Sequence, residues 1–146
     1  MLPIRRTGEE GTLRNTISGR SDFERYFAAF NARDYALQTS FYAPDVEYAV
    51  GTFRASNPAE IGAFYADFHQ YCDEVVRLAW FAMSGDIVSG VVPTRFEPFR
   101  DYLKHGLEFR AGVPRDSVTL AFWQLEHGQI RRIRMARYAG PASDFD

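Results

Sequence analysis

Two charged residues on one predicted strand are the strongest candidates for chemistry in this sequence. Arg95 and Glu97 lie two positions apart in the run Thr94-Arg95-Phe96-Glu97, so an extended strand would project both from one face. Inside an apolar pocket, burial opposes ionisation of the carboxyl group and the guanidinium favours it. A carboxyl group balanced between these effects can give or take a proton near neutral pH. On a solvent-facing strand the two residues would form an ordinary surface pair, and the spacing permits both placements.

Histidine and cysteine offer fewer possibilities. His69 follows Tyr65 by four positions in a predicted helix, so it shares that face and either reaches a pocket mouth or lies half-exposed. His69, His105 and His127 do not have the spacing of metal ligands, so no metal site is expected. Cys72 is the single cysteine, which excludes an internal disulfide, and we expect a structural role for it.

Composition narrows the class of protein. The 146 residues suit one domain, and a hydrophobic content of 46% is typical of a globular chain. A net charge of −2 argues against a dedicated nucleic-acid-binding protein. No apolar run approaches the roughly 18 residues of a membrane span, and the N-terminus lacks the apolar segment of a secretory signal. We therefore expect a cytoplasmic protein with no nucleic-acid partner and no membrane partner.

Three helices and a series of strands must position these residues. Ser21 and Glu24 have capping-box spacing, and the aromatic residues that follow predict a helix over 22–32. Two further helices are predicted, a short one over 35–41 and one capped by Asn57 over about 58–71. Alternating patterns predict five strands, at 46–50, 75–83, 87–99 (broken by Pro93 and Pro98), 117–125 and 129–138. A hairpin turn at 126–128 joins the last two, and the segment 99–116 fits either a helical turn over 98–105 or a continued strand.

This order predicts a single α+β domain over residues 21–146, with residues 1–20 as a mobile tail. The helices would cover one face of a mostly antiparallel sheet. The run Val118–Leu125 is apolar on both faces, and no helix is left for the second face. Exposed apolar sheet faces of this size usually mark interfaces, so we expect a homodimer through the outer sheet face.

Four segments carry a family resemblance: RYFAAFNARD at 25–34, FYAPD at 41–45, IGAFY at 61–65 and QLEHGQI at 124–130. Together they resemble the nuclear transport factor 2-like superfamily, nearest to its bacterial ketosteroid isomerases and SnoaL-like polyketide cyclases. The resemblance spans about residues 21–139. It implies a curved, mostly antiparallel sheet wrapped around the three helices into a cone with an apolar pocket.

The resemblance also assigns roles to tyrosines. In the ketosteroid isomerases, the tyrosine of the first helix donates a hydrogen bond to the dienolate oxygen, and Tyr26 occupies that position. Tyr42 and Tyr65 match tyrosines that support it in some members. The base and the protonated aspartate of these isomerases fall at Val50 and at or near Ala121, so ketosteroid isomerisation is excluded.

Limonene epoxide hydrolases of the same superfamily carry an Arg-x-Asp pair that faces the pocket. Arg95 and Glu97 match that pair, and Tyr48 matches a tyrosine of the first strand. The neighbouring asparagine and the second carboxylate of those enzymes fall at Val50 and near Met135. Half of the site is therefore missing, which argues against simple epoxide hydrolysis.

The sequence thus predicts a cofactor-free isomerase, cyclase or dehydratase that acts on a hydrophobic, oxygenated small molecule of polyketide or terpenoid type. Tyr26 would stabilise charge developing on oxygen, and Glu97 would move the proton under the influence of Arg95. The expected pocket and its mouth comprise Phe30, Tyr42, Tyr48, Val50, Phe64, Tyr65, Phe68, His69, Trp80, Ala121, Trp123, Met135 and Arg137. Two alternatives stay open, namely a binding or dimerisation module without chemistry and an epoxide hydrolase.

Overall fold

The computed structural model describes residues 14–146, which form three α-helices and seven strands. The helices are α1 (Arg20–Asn31), α2 (Tyr35–Thr39) and α3 (Pro58–Phe68). The strands are β1 (Tyr42–Val50), β2 (Phe53–Ala55), β3 (Cys72–Val76), β4 (Trp80–Ser84), β5 (Ile87–Pro98), β6 (Arg115–Glu126) and β7 (Gln129–Tyr138). A short 3-10 helix, Ala142–Phe145, follows β7. Among these elements, only β2 and the 3-10 helix have no counterpart in the sequence patterns.

The strands form one strongly curved sheet in the order β2-β1-β7-β6-β5-β3, and β4 also pairs with β5. Neighbouring strands are antiparallel except β1 and β7, which run parallel. Aromatic side chains from the helices pack into the concave face and build the main core with residues of the sheet. The predicted α+β architecture, a curved sheet around three helices, is confirmed.

The first helix begins at a different cap from the one predicted. Its buried face carries aromatic side chains at helical spacing, namely Phe23, Tyr26, Phe27 and Phe30. Ser18 donates its backbone N–H and its hydroxyl to the Asp22 carboxylate, at 2.9 and 3.0 Å. The predicted capping box of Ser21 and Glu24 is therefore wrong, because both residues lie inside the helix. Asn57 does cap α3 as predicted, through a 3.0 Å bond from the Glu60 N–H.

Residues 14–20 correct the prediction of a mobile tail. Ile17 is 3% exposed, and its N–H donates to the Gly128 carbonyl at 2.7 Å. The Asn15 N–H donates to the Ser40 carbonyl at 3.0 Å. Ile17 is the one apolar residue in this stretch, so the sequence shows no period that would reveal the packing. The rest of the predicted tail, residues 1–13, lies outside the described residues.

The predicted strand over 75–83 is two strands that pair with different halves of β5. β3 pairs with the second half of β5 and β4 with the first half. The predicted break of β5 at Pro93 is therefore wrong, because β5 pairs with β6 without interruption through this residue. The Pro93 carbonyl accepts from the Arg77 N–H at 2.9 Å, on the side where β3 ends and β4 has not begun. Proline has no backbone N–H, and Pro93 lies opposite the break between β3 and β4, where neither strand requires a donor from β5.

The segment 99–116 is neither the predicted helical turn nor a continued strand over most of its length. It is a loop with one isolated bridge between Tyr102 and Phe109 before β6 begins at Arg115. Tyr102 and Phe109 pack with Phe68 and Cys72 into a second apolar cluster beside the main core. The loop thereby supports the end of α3 and the start of β3.

The outer, convex face of the sheet is only partly covered. Phe145 of the 3-10 helix packs edge-on against Trp80 and also contacts Tyr138, with ring centroids 5.0 and 4.9 Å apart. Phe122 and Ile87 remain 57% and 42% exposed. Within residues 14–146, no helix combines the length and the hydropathy needed to cross a membrane.

Candidate functional site

A cavity of about 190 Å³ lies between α1, α3 and the concave face of the sheet. Its wall is mostly apolar, with aromatic contributions from Tyr26, Phe27, Phe30, Tyr48, Tyr65 and Trp123. Its polar groups are few, namely the three tyrosine hydroxyls, the Glu74 carboxylate and the hydroxyls of Thr94, Ser117 and Thr119. An apolar chamber with a few placed polar groups is the usual composition of a small-molecule site.

The tyrosine hydroxyls are paired. Tyr48 and Tyr65 share a short hydrogen bond between their hydroxyl oxygens. The Tyr26 hydroxyl lies 2.8 Å from that of Tyr42, which also accepts from the Gln38 side-chain amide at 3.1 Å. Burial raises the pKa of Tyr42 to about 12 and moves the pKa of Tyr26, Tyr48 and Tyr65 well above the ordinary value. All four are therefore neutral phenols that can donate a hydrogen bond at neutral pH.

The Tyr26–Tyr42 pair is enclosed on the side of Tyr42. Tyr42 is 1% exposed, and in the assigned amide orientation Gln38 fills one of its acceptor positions. Either hydroxyl of the Tyr26–Tyr42 pair can donate to the other. Tyr26 lines the cavity, so its hydroxyl can donate to a ligand oxygen when Tyr42 donates to it.

A buried carboxylate that the sequence analysis missed completes the site. Glu74 of β3 is 7% exposed and lines the cavity. One of its oxygens, Oε1, lies 2.9 Å from Nε2 of His69, and Nδ1 of His69 lies 2.7 Å from the Tyr35 hydroxyl. The second oxygen, Oε2, has no hydrogen-bond partner among residues 14–146. A carboxylate with one oxygen held and the other free is suited to receive a proton from a ligand.

The end of α1 fixes the strand that carries Glu74. Asn31 donates to the Val76 carbonyl and accepts from the Val76 N–H, both at 2.9 Å. Arg33 donates to the backbone carbonyls of Phe30 and Glu74, at 3.1 and 2.9 Å. These bonds occupy the free edge of β3, so the carboxylate is positioned by the backbone as well as by His69.

Solved structures reveal what this architecture is similar to. No family model matches the sequence, and no curated protein matches it. A candidate polyketide cyclase from Xanthomonas campestris pv. campestris has a TM-score of 0.64 at 21% identity, over 77% of this chain and 84% of that chain. A nuclear transport factor 2-like protein of unknown function from Burkholderia pseudomallei has a TM-score of 0.64 at 16% identity, over 80% and 87%. This chain has a nuclear transport factor 2-like fold.

A third structure of similar fold was determined with a small molecule. It is TerC co-crystallised with polyporic acid, which matches with a TM-score of 0.63 at 18% identity, over 80% of this chain and 88% of that chain. The nuclear transport factor 2-like fold thus gives this chain a cone-like interior, and the residues in the cavity must decide its chemistry.

The predicted catalytic pair lies outside that interior. Thr94 and Phe96 point into the cavity, so Arg95 and Glu97 project from the convex face. Their side chains are 46% and 57% exposed, and Arg95 also pairs with Asp116 at 3.0 Å. The expectation that Arg95 and Glu97 act in the pocket is wrong, because the strand has the opposite phase from the one that the resemblance implied.

The other predicted pocket residues divide into three groups. Seven of them line the cavity: Phe30, Tyr48, Val50, Tyr65, Ala121, Trp123 and Met135. Two lie directly behind lining residues and hydrogen-bond to them: Tyr42 and His69. Four lie elsewhere: Phe64, Phe68, Trp80 and Arg137.

Packing explains each displaced residue. Phe64 stacks on Phe53 with ring centroids 4.4 Å apart, and Phe68 belongs to the second apolar cluster. Trp80 is 55% exposed beside the 3-10 helix. Arg137 is exposed near the end of β7; it lies on the concave face opposite Thr119, but it does not line the cavity. Within residues 14–146, no group of three or more His, Cys, Asp or Glu side chains is arranged to hold a metal ion.

Proposed function

We propose that this protein is an enzyme that moves a proton on a hydrophobic, oxygenated small molecule, in a reaction of the isomerase, cyclase or dehydratase type. The observation that carries the proposal is Glu74, a buried carboxylate that lines the cavity and whose Oε2 has no hydrogen-bond partner among residues 14–146. Buried carboxylates are costly, and one with a free oxygen in a ligand-sized cavity is a candidate for general acid–base catalysis. Structural similarity to a candidate polyketide cyclase supports the substrate class.

In the proposed step, Glu74 removes a proton from the carbon beside a carbonyl group. The C–H electrons form a carbon–carbon double bond, and the carbonyl π electrons move to oxygen. Tyr26 donates a hydrogen bond to that oxygen, and loss of one such donor typically lowers a rate by about 10²- to 10³-fold. Glu74 then returns the proton to a carbon while the carbonyl group re-forms, or to a hydroxyl oxygen of the substrate while its C–O bond breaks, the carbonyl group re-forms and water leaves. His69, held by Tyr35, positions the carboxylate throughout.

A simple proton exchange tests the proposal without knowledge of the natural substrate. The probe is 2-tetralone, a neutral bicyclic ketone, incubated with the protein in D₂O while NMR follows loss of the protons beside the carbonyl. We expect the protein to accelerate exchange, Glu74→Gln to abolish the acceleration, and Tyr26→Phe to lower it by about 10²-fold. Glu97→Gln is the matched control, because it makes the same change at an exposed carboxylate.

Two results would contradict the proposal. Exchange at the buffer rate despite bound ketone would favour the alternative of a binding module, which the apolar residues Val50 and Ala121 at the isomerase carboxylate positions already suggest. Equal loss of exchange in Glu74→Gln and Glu97→Gln would remove the cavity from the reaction. The epoxide hydrolase alternative loses its basis, since Arg95 and Glu97 lie outside the cavity.

We also propose that a second copy of the chain covers the part of the convex face that the 3-10 helix leaves open. Phe122 and Ile87 are exposed there, and β6 is apolar on both faces. Light scattering during size-exclusion chromatography is expected to show a dimer that Phe122→Glu converts to a monomer. Phe99→Glu, at a phenylalanine that is 52% exposed in a loop, is expected to leave the dimer intact. A wild-type monomer at micromolar concentration would refute this assembly.

A further inference from the structure

Two arginines lie on the concave face of the sheet, next to residues that line the cavity. Arg137 is paired across the strands with Thr119, and Arg115 is paired with Phe96. Directly opposed residues in an antiparallel pair share one face, and Thr119 and Phe96 both line the cavity. Arg115 and Arg137 therefore lie on the concave side, just beyond the residues that form the chamber.

Neither arginine has a carboxylate partner among residues 14–146. Arg115 donates to the backbone carbonyl of Glu108 at 3.3 Å, and its guanidinium carbon lies 3.9 Å from the centre of the Phe109 ring. Arg137 forms no ion pair with any described residue. Burial lowers the pKa of Arg115, and the nearby positive charge of Arg137 lowers it further. By contrast, Arg95 on the convex face has two carboxylates within 3.2 Å.

Polar groups connect the two arginines with the interior. Thr94 and Ser117 face each other across β5 and β6, and Thr119 follows two positions later on the same face. The hydroxyls of these three residues make no hydrogen bond to another described residue. They form a row of available donors that crosses the sheet from β5, which pairs with the strand of Glu74, to β6, where Thr119 is opposite Arg137.

We propose that the ligand of this cavity is an organic anion, with an apolar body inside the chamber and a carboxylate or similar anionic group between Arg115 and Arg137. The inference deepens the proposed function, because it takes the same cavity as the binding site and adds the charge of the substrate. A guanidinium binds a carboxylate in two-point geometry, and two such groups without a carboxylate partner beside one cavity favour an anion there. The hydroxyl row would bind polar substituents along the ligand.

A matched pair of ligands tests the inference. The probes are 2-naphthoate and 2-naphthamide, which have the same apolar body and differ in charge, and calorimetry measures their binding to the full-length protein at low ionic strength. We expect 2-naphthoate to bind at least about fivefold more tightly than 2-naphthamide. Raising the ionic strength to about 0.5 M is expected to remove most of that preference.

Substitutions locate the preference. Arg137→Ala is expected to weaken 2-naphthoate about fivefold and to leave 2-naphthamide unchanged. Arg115→Gln, which keeps a planar group over Phe109, is expected to act in the same direction. Arg95→Ala is the control, because Arg95 lies on the opposite face of the sheet, and no change is expected.

Three outcomes would overturn the inference. The first is equal affinity of wild type for both probes, within twofold. The second is a preference for 2-naphthoate that survives Arg137→Ala or falls equally with Arg95→Ala. The third is no binding of either probe. The proposed proton transfer stands apart from these outcomes, because its probe, 2-tetralone, carries no charge and its exchange reports on Glu74.

Discussion

The contact between His69 and Glu74 determines whether the cavity holds an organised proton-transfer site, and a double-mutant cycle measures it. Their side chains are 5% and 9% exposed, with Nε2 and Oε1 2.9 Å apart. His69→Leu removes this bond and the 2.7 Å bond to Tyr35, and it leaves a buried carboxylate without its partner. We expect a loss of about 3–5 kcal/mol in the free energy of unfolding.

Glu74→Leu removes the charge together with the contact, so its cost is expected to be smaller, about 1–3 kcal/mol. In the double variant His69→Leu/Glu74→Leu, neither a buried carboxylate nor a buried imidazole is left without its partner. Its destabilisation is therefore expected to fall short of the sum of the single variants by about 1.5–3 kcal/mol.

Urea unfolding at pH 7, followed by circular dichroism, gives the four free energies of the cycle when the denaturant slopes of the variants agree. Glu74→Gln serves as a control, since its side-chain oxygen can still accept from Nε2 and a change of about 1 kcal/mol or less is expected. Additivity of the two leucine substitutions within about 0.5 kcal/mol would refute the reasoning, because it would mean that the two groups do not interact.

Three further predictions concern other parts of the chain. Tyr42→Phe should lower the free energy of unfolding in urea by about 1–3 kcal/mol, because it leaves the buried side-chain amide of Gln38 without its hydrogen-bond acceptor. An unchanged free energy of unfolding would show that the Gln38–Tyr42 hydrogen bond is dispensable. Arg131 and Arg132 lower the pKa of Glu47 to about 2 from an ordinary 4.5, so its stabilisation is complete above pH 4.5 and is lost as the pH falls toward 2. The urea midpoint of Glu47→Gln should therefore lie below that of wild type at pH 6, with the gap narrowing as the pH falls from 4.5 toward 2, and a gap of constant size would contradict the assignment. Gly51→Ala should cost about 1–3 kcal/mol, because Gly51 has a φ of 57° and an added Cβ would overlap the carbonyl oxygen of His105, and full stability of this variant would argue against that turn.

Periodicity was enough to predict most of the fold. The aromatic face of α1, the Asn57 cap of α3 and the hairpin at 126–128 are local features, and local sequence determines them. The break between β3 and β4 depends on which half of β5 each strand meets, and no local pattern encodes that choice. Ile17 escaped prediction for the same reason, since its burial depends on the distant Gly128.

The site was predicted less well, because strand phase decides which residues face the cavity. A shift of one residue exchanges the two faces of a strand. The observed phase of β5 differs by one residue from the expected phase, so Thr94 and Phe96 face the cavity and Arg95 and Glu97 face outward.

A signal for Glu74 is present in the sequence. Cys72, Glu74 and Val76 alternate with Asp73 and Val75, which would place the carboxylate on an apolar inner face. Starting the strand at Val75 hides that alternation. The tyrosines were more predictable, since Tyr48 and Tyr65 line the cavity as expected.

The proposed function rests on Glu74 as the group that moves the proton inside the cavity. The most direct test is the rate of deuterium incorporation into 2-tetralone by three proteins under identical conditions: wild type, Glu74→Gln and Glu97→Gln. We expect equal rates for wild type and Glu97→Gln, and the buffer rate for Glu74→Gln. A Glu74→Gln protein that is folded, binds the ketone and exchanges it as fast as wild type would contradict the claim.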